Sequence, residues 1–202
     1  MADEEILNWY AQEDGKTYGY TNFSATSRDY EEHPEAIEAH QTFLVRKDMY
    51  EALGEPDMRT PEGFLDALKK AKETYPDVGG QPLIPFAIHE FTDKGNYSLD
   101  LFLANFLAIP RVDADGQLYD YREDAEYVTW LKMLRQANEM GLISSDIFID
   151  KSAQIDEKLA QGRYFSMLYQ KSDVVSGQTA RYMDDPDSVY IAVDRMFYSK
   201  LA

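Results

Sequence analysis

Residues Ala125–Tyr169 constrain the fold of this chain more than any other stretch. They open with AEYVTWLKMLRQANEMGLI, in which Tyr127, Val128, Trp130, Leu131, Leu134, Ala137 and Met140 recur at helical spacing. That spacing predicts an amphipathic helix with a single apolar stripe. Gly141 closes it, because glycine takes the left-handed backbone of a helix end without steric cost. Ser144-Ser145-Asp146 and Asp150 then offer polar starts. SAQIDEKLAQG predicts a second helix ending at Gly162, and the aromatic, apolar run RYFSMLYQ predicts a buried strand. A helix–helix–strand unit needs a sheet to dock on, so the remainder of the chain is expected to supply neighbouring strands.

From the N-terminus, DEEILNWYAQ predicts a short helix with acids at its positive end, and Asp14-Gly15 a turn. KTYGYTNF alternates aromatics and threonines around Gly19, which predicts a strand near residues 17–23. Residues 24–41 are polar and read as a loop, with a short helix after Pro34. Phe43–Val45 is a short strand, and Asp48 is placed to cap a helix that stops near Gly54. Thr60 is an N-cap with Pro61 at the first helical position, and Phe64, Leu65, Leu68 and Ala71 form the buried stripe that follows. Val78-Gly79-Gly80 is a turn before the strand PLIPFAIHE, and the loop FTDKGNYS leads into the apolar helix LDLFLANFLAI. RVDADGQLYDY reads as a hairpin-like turn. The alternation of strands and helices predicts an α/β fold, a mostly parallel sheet flanked by helices. One lobe over residues 17–193 is expected, with strands near 17–23, 43–45, 83–88, 164–169 and 189–193 in a single sheet.

The net charge of −17 argues against nucleic acid or an anionic membrane as partner, since phosphate binding requires clustered Lys and Arg. The chain has no cysteine, which removes disulfides, thiolate metal sites and thiol nucleophiles. No apolar run approaches the length of a membrane-spanning helix, and MADEEILNW is not a signal peptide. Asp113-Ala114-Asp115-Gly116 is reminiscent of a calcium loop, but its spacing puts Arg111 and Arg122 at ligand positions, so a β-turn is expected. His33, His40 and His89 lack any metal-binding spacing, and His89-Glu90, adjacent on a strand, point to opposite faces. There is no G-x-S-x-G, P-loop or dinucleotide fingerprint. No catalytic residue, metal or cofactor is expected.

Ligands of open α/β sheets sit beyond the carboxyl ends of the strands. Three such ends are candidates: Tyr20, Thr21, Asn22 and Phe23; His89, Glu90 and Phe91 with nearby Tyr97; and Tyr169, Gln170, Lys171, Ser172 and Asp173. Each mixes aromatic faces with amides or charges. Sugars need that mixture, because their C–H faces stack on rings while their hydroxyls take polar partners. For any one of these residues, packing is the commoner role.

Several segments share short patterns with one family. They are the helix ending Gly141-Leu142-Ile143, then Ser144-Ser145-Asp146-Ile147-Phe148, Ala160-Gln161-Gly162-Arg163 and Met167-Leu168-Tyr169. Arg46-Lys47-Asp48 with Leu53-Gly54, Arg59-Thr60-Pro61-Glu62-Gly63-Phe64, and Asp14-Gly15-Lys16 with Tyr18-Gly19 extend them, although Thr21 replaces the usual proline. In these the chain resembles the family 1 extracellular solute-binding proteins, the substrate-capturing lipoproteins of ABC importers. The resemblance implies one lobe, the second, of a type II periplasmic-binding-protein-like fold. Residues 1–16 would lead in from a missing first lobe and 194–202 would lead back out. It implies capture of an oligosaccharide between two lobes, with Tyr20, Asn22, Phe23, His89, Glu90, Phe91, Tyr97, Tyr169, Gln170, Lys171 and Ser172 on this wall. It also implies a membrane permease as partner, a monomer, no enzymatic activity, and an extracellular, lipid-anchored full-length protein whose signal and anchor lie outside this chain. For an exported family the resemblance further implies that a chain beginning MADEEILNW is an excerpt, and Met1 would then be an expression start. Two other readings stay open: a fragment of a carboxylate-dependent glycoside hydrolase, and a self-contained interaction domain.

Overall fold

Local hydrogen bonding organises the described residues near the N-terminus. In a computed structural model describing residues 3–19, 26–32, 41–113, 115–171, 173–174 and 178–192, the chain divides into two units, Met1–Glu38 and Ala39–Ala202. In the smaller, the Asp3 carboxylate accepts from the Glu5 amide at 3.0 Å and caps α1 (Glu4–Trp9). The Thr26 amide and hydroxyl donate to Asp29 at 2.8 and 2.7 Å, at the start of α2 (Ser27–Glu32), where a loop was expected. The Glu5 carboxylate ties the two helices by accepting from the Ser27 hydroxyl at 2.7 Å. Thr17–Gly19 form no strand, which corrects that expectation. Thr17 donates to the Leu7 carbonyl and Tyr18 to Asp14, so these side chains bond locally with no ladder beside them. Tyr20, Thr21, Asn22 and Phe23 lie outside the described residues, as does the segment after Pro34.

The larger unit is built on β1 (Gln41–Arg46), β4 (Ile84–Ala87), β5 (Tyr164–Gln170) and β6 (Tyr190–Ala192), in the order β4-β5-β1-β6. A separate hairpin pairs β2 (Asp77–Val78) with β3 (Gln81–Pro82). Its two turn residues, Gly79 and Gly80, have φ of 60° and 78°, the paired left-handed backbone that two-residue hairpins favour. The sheet is mixed rather than mostly parallel. β4 and β5 pair in parallel, while β1 is antiparallel to both β5 and β6. It follows that β4, β5 and β6, the strands linked through helices, share one direction and β1 alone opposes them. Helix–strand alternation specifies direction only between strands joined by a crossover. β1 is inserted between β5 and β6 and is joined to neither.

Helices cover both faces. On one side lie α4 (Pro61–Thr74), α5 (Leu103–Phe106) and α6 (Ala125–Glu139). Their Phe64, Leu68, Phe106, Trp130 and Ala137 pack with Phe43, Val45, Phe86 and Leu168 of the sheet. Thr60 caps α4 by accepting from the Gly63 amide at 3.1 Å, and Asp124 caps α6 by accepting from Glu126 and Tyr127. α6 therefore docks on the sheet as its periodicity predicts. Met133 joins the buried stripe, while Met140 is 44% exposed, because it lies past the last helical turn. On the other face Ile155 and Leu159 of α7 (Ser152–Ala160) pack with Leu44, Ala87, Met167 and Tyr169.

One loop end differs from expectation and another agrees with it, each for an electrostatic reason. α3 (Lys47–Ala52) has no side-chain cap from Asp48. That carboxylate instead receives Arg46 Nε and Nη2 at 2.8 and 2.7 Å, while Nη1 donates to the Gly162 carbonyl at 2.6 Å. In the 112–118 turn, Asp113 accepts from the Asp115 and Gln117 amides at 2.9 and 2.8 Å. Its oxygen braces a β-turn.

Gly162 carries a stability prediction. Its φ is +66°, and an added Cβ would lie 2.0 Å from Arg181 Nη2, in α8 (Thr179–Asp184). Gly162→Ala should cost about 1–2 kcal/mol for the left-handed backbone alone. The added methyl must also push aside a guanidinium that donates to Ser188 at 3.0 Å and to the Ala160 carbonyl at 3.2 Å. A lowered urea midpoint is the expected result, and an unchanged one the contrary.

Candidate ligand-binding rim

Because β4 and β5 are parallel and β1 opposes them, the ends of β4 and β5 share a rim with the start of β1. The pairs Gln41↔Gln170 and Thr42↔Tyr169 lie on this rim, and Ala87↔Met167 is the last pair of the β4–β5 ladder. The chain leaves β4 through Ile88, His89 and Glu90, loops out, and returns through a π-helical turn, Ser98–Phe102.

Two side chains that the sequence does not single out hold this loop. Asn96 is 2% exposed and donates from Nδ2 to the His89 carbonyl at 2.7 Å. Ser98 is fully buried. Its Oγ lies 2.9 Å from the His89 amide, 2.8 Å from His89 Nδ1 and 2.7 Å from the Leu168 carbonyl, one residue beyond the last β4–β5 pair. The only signal for either residue was their place in a polar loop before an apolar helix.

The His89 ring stacks on Tyr169 with centroids 3.6 Å apart and planes 4° from parallel. Phe102 meets it edge-on at 5.0 Å and Tyr97 at 6.4 Å. Burial pushes the His89 pKa down to about 4, against the opposing pull of the Asp173 and Glu90 carboxylates. Burial also pushes the Tyr169 phenol up to about 12. Tyr169 is 6% exposed, so it backs His89 rather than offering an open face, whereas Tyr97 is 62% exposed.

β4 ends at Ala87, so His89 and Glu90 do not sit on a strand as the sequence suggested, and Glu90 takes its partners from α7 and the residue before it. Its carboxylate accepts from Ser152 Oγ at 2.7 Å and lies 3.7 Å from Lys151 Nζ. Phe91 stacks on Phe148 at 5.4 Å, and Phe148 is 59% exposed. Two aromatic positions here are exposed, Tyr97 beside His89 and Phe148 against Phe91. At the β5 end, Gln170 Oε1 is buried with no hydrogen-bond partner among the described residues. Neighbouring Gln41 accepts from Asn105 Nδ2. Lys171 continues the same strand end, and Ser172 lies outside the described residues. The structure therefore joins His89, Tyr97 and Tyr169 in one cluster and sets Glu90 and Phe91 in a second beside α7. Gln41, Asn96, Ser98 and Phe148 are additions to the sequence-derived set.

A cavity of about 10 Å³, lined by Ile84, Ile88, Asp146, Asp150, Ile155 and Tyr164, has room for about one water. Among the described residues, no three His, Asp or Glu side chains gather as they would around a metal ion. No described helix is long and apolar enough to cross a membrane.

No family model matches the sequence, and no curated protein matches it. Solved structures do match. One is the S. pneumoniae ABC-transporter substrate-binding protein FusA in complex with kestose, at 19% identity and a TM-score of 0.55, covering 78% of this chain and 32% of that one. Another is a sugar transporter of Bacillus licheniformis in complex with stachyose, at 20% identity and 0.55, covering 95% and 45%. A third, a sugar transporter of Arthrobacter chlorophenolicus A6 with bound laminaribiose, gives 14% and 0.56, covering 94% and 41%. The chain spans between a third and a half of these proteins. At such identities the likeness is one of fold: a single α/β lobe of the type II periplasmic-binding-protein kind.

Proposed function

We propose that this chain is one lobe of a solute-binding protein of an ABC importer, and that its rim forms one wall of an oligosaccharide site. The observation that carries this reading is the rim itself. A braced imidazole lies beside exposed Tyr97, and exposed Phe148 stacks on Phe91, in the loop that leaves β4. Flat aromatic faces interleaved with hydrogen-bonding groups suit the C–H faces and hydroxyls of sugars. Proteins that share the fold hold kestose, stachyose and laminaribiose. Glu90, Phe91, Gln170 and Lys171 complete this wall.

The role is capture without chemistry. Glu90 is engaged at the rim by Ser152 Oγ and by Lys151, the contacts of a carboxylate that holds a loop in place. In this reading the protein works as a monomer outside the cell, tethered by lipid, and hands its sugar to a membrane permease.

A single wall buries only part of a ligand that a complete pocket would enclose. Half of a micromolar-range binding free energy of about −8 kcal/mol leaves roughly millimolar affinity. Titrating kestose, stachyose and laminaribiose into isotope-labelled chain should move the amide resonances of residues 89–97 and 169–171, with roughly millimolar midpoints. The sugars themselves should be recovered intact. Absence of shifts at this rim with all three sugars, or release of monosaccharide, would overturn the proposal.

A further inference from the structure

We infer that Ser98 fixes His89 in the Nδ1–H tautomer, leaving Nε2 as a lone acceptor, so that the rim binds a neutral sugar through its hydroxyl hydrogens and rejects an acidic one. This rests on the sugar-binding reading above and assigns the ligand class and the positioning residue within it.

The argument is a count of protons. A serine hydroxyl has one hydrogen to donate and two lone pairs to accept with. The Leu168 carbonyl, 2.7 Å from Ser98 Oγ, can only accept, so the hydroxyl hydrogen goes there. Both lone pairs are then filled by hydrogens from the His89 side: the backbone N–H at 2.9 Å and Nδ1 at 2.8 Å. Nδ1 must therefore carry a hydrogen. In a neutral imidazole this leaves Nε2 bare. Burial keeps the ring neutral, with its pKa near 4 even though the Asp173 and Glu90 carboxylates favour the cation.

The ring cannot easily turn to exchange its nitrogens. Tyr169 covers one face at 3.6 Å, and Phe102 and Tyr97 abut its edges. Nε2 has no hydrogen-bond partner among the described residues and is not one of the fully buried unpartnered atoms. A bare imidazole nitrogen accepts a hydrogen from a sugar hydroxyl and offers nothing to a carboxylate or phosphate. Asp173 and Glu90, the latter 3.7 Å from Lys151 Nζ, both act on this ring, and a net charge of −17 over the chain adds repulsion against an anion.

The tautomer can be read without a ligand, from the two ring nitrogens of His89 in a long-range ¹H–¹⁵N spectrum at neutral pH. A protonated Nδ1 and a bare Nε2 are expected in the wild-type chain. Ser98→Ala should shift the ring toward the Nε2–H form and weaken kestose binding roughly tenfold, the worth of about one hydrogen bond. Ser98→Thr, which keeps the hydroxyl, should restore both, and it serves as the folded comparison if Ser98→Ala fails to fold. A wild-type Nε2–H tautomer, or a tautomer unchanged in Ser98→Ala, would overturn the inference. So would equal binding of kestose and of a uronic-acid disaccharide. A Nδ1–H tautomer in a chain that binds none of the sugars would instead leave the lock standing and remove the sugar-binding reading.

Discussion

Trp130→Ala is expected to lower the unfolding free energy by about 3–5 kcal/mol, the usual cost of emptying an aromatic site in a packed core. The indole is 2% exposed and sits at the meeting point of three elements. It stacks on Phe43 of β1 with centroids at 5.3 Å, and it meets Phe64 of α4 at 5.7 Å and Phe106 of α5 at 6.0 Å. Phe43 itself meets Phe64 at 4.7 Å and Phe106 at 4.8 Å, so the four rings form one closed cluster. Removing one ring leaves neighbours held by backbone elements that cannot all collapse inward. A domain of ordinary stability, about 5–15 kcal/mol, would lose about a fifth of it or more. Urea unfolding followed by circular dichroism is the measurement, since the substitution removes a fluorescent probe. Trp9, 83% exposed, is the control, and its alanine variant should stay within about 0.5 kcal/mol of wild type. Equal midpoints for the two variants would mean that the cluster does not organise the fold.

The second large effect is a slope in stability with pH. His89 has a folded pKa of about 4 against an ordinary 6.5, because burial disfavours its cation. Between those values the unfolded chain takes up a proton that the folded chain refuses, so stability falls as pH falls from 6.5 to 4. Below about 4 both states are protonated and the loss stops growing. The full shift is worth about 3 kcal/mol at most. Acidification also relieves the mutual repulsion of a chain with net charge −17, which works in the opposite direction. The test is therefore a difference: urea midpoints at several pH values for wild type and His89→Gln. The two curves should run together above pH 7 and separate toward pH 4, with the wild type falling more steeply. Parallel curves would show that the ring titrates freely in the folded protein.

Much of the fold was legible in the sequence where a signal was local and repeated. Thr60-Pro61 and the apolar stripe marked α4, and the spacing from Tyr127 to Ala137 marked α6, because caps and helical period act within a few residues. Met133 and Met140 show the limit of that reading. Both are apolar, but only Met133 lies on the sheet side of the helix, and Met140 falls beyond its last turn. The direction of β1 was not legible, since it depends on insertion between two strands far away in sequence. His89 and Tyr169 could be singled out as candidates because strand ends are readable. Asn96 and Ser98 could not, because their roles need the loop to fold back nine residues and to meet a strand seventy residues away.

The π-helical turn at Ser98–Phe102 makes the length of this loop a matter of phase. Such a turn carries one residue more than an α-helical turn, in effect an insertion retained inside a helix. Excising that residue would return the segment to ordinary α-helical winding and swing everything before it by about 100° relative to α5. Ser98 would then face away from the Leu168 carbonyl, and the imidazole it braces would lose its partner. A stretch that looks in sequence like a loop free to shrink or grow is thus a fixed count of residues, set by the angle at which one hydroxyl must arrive.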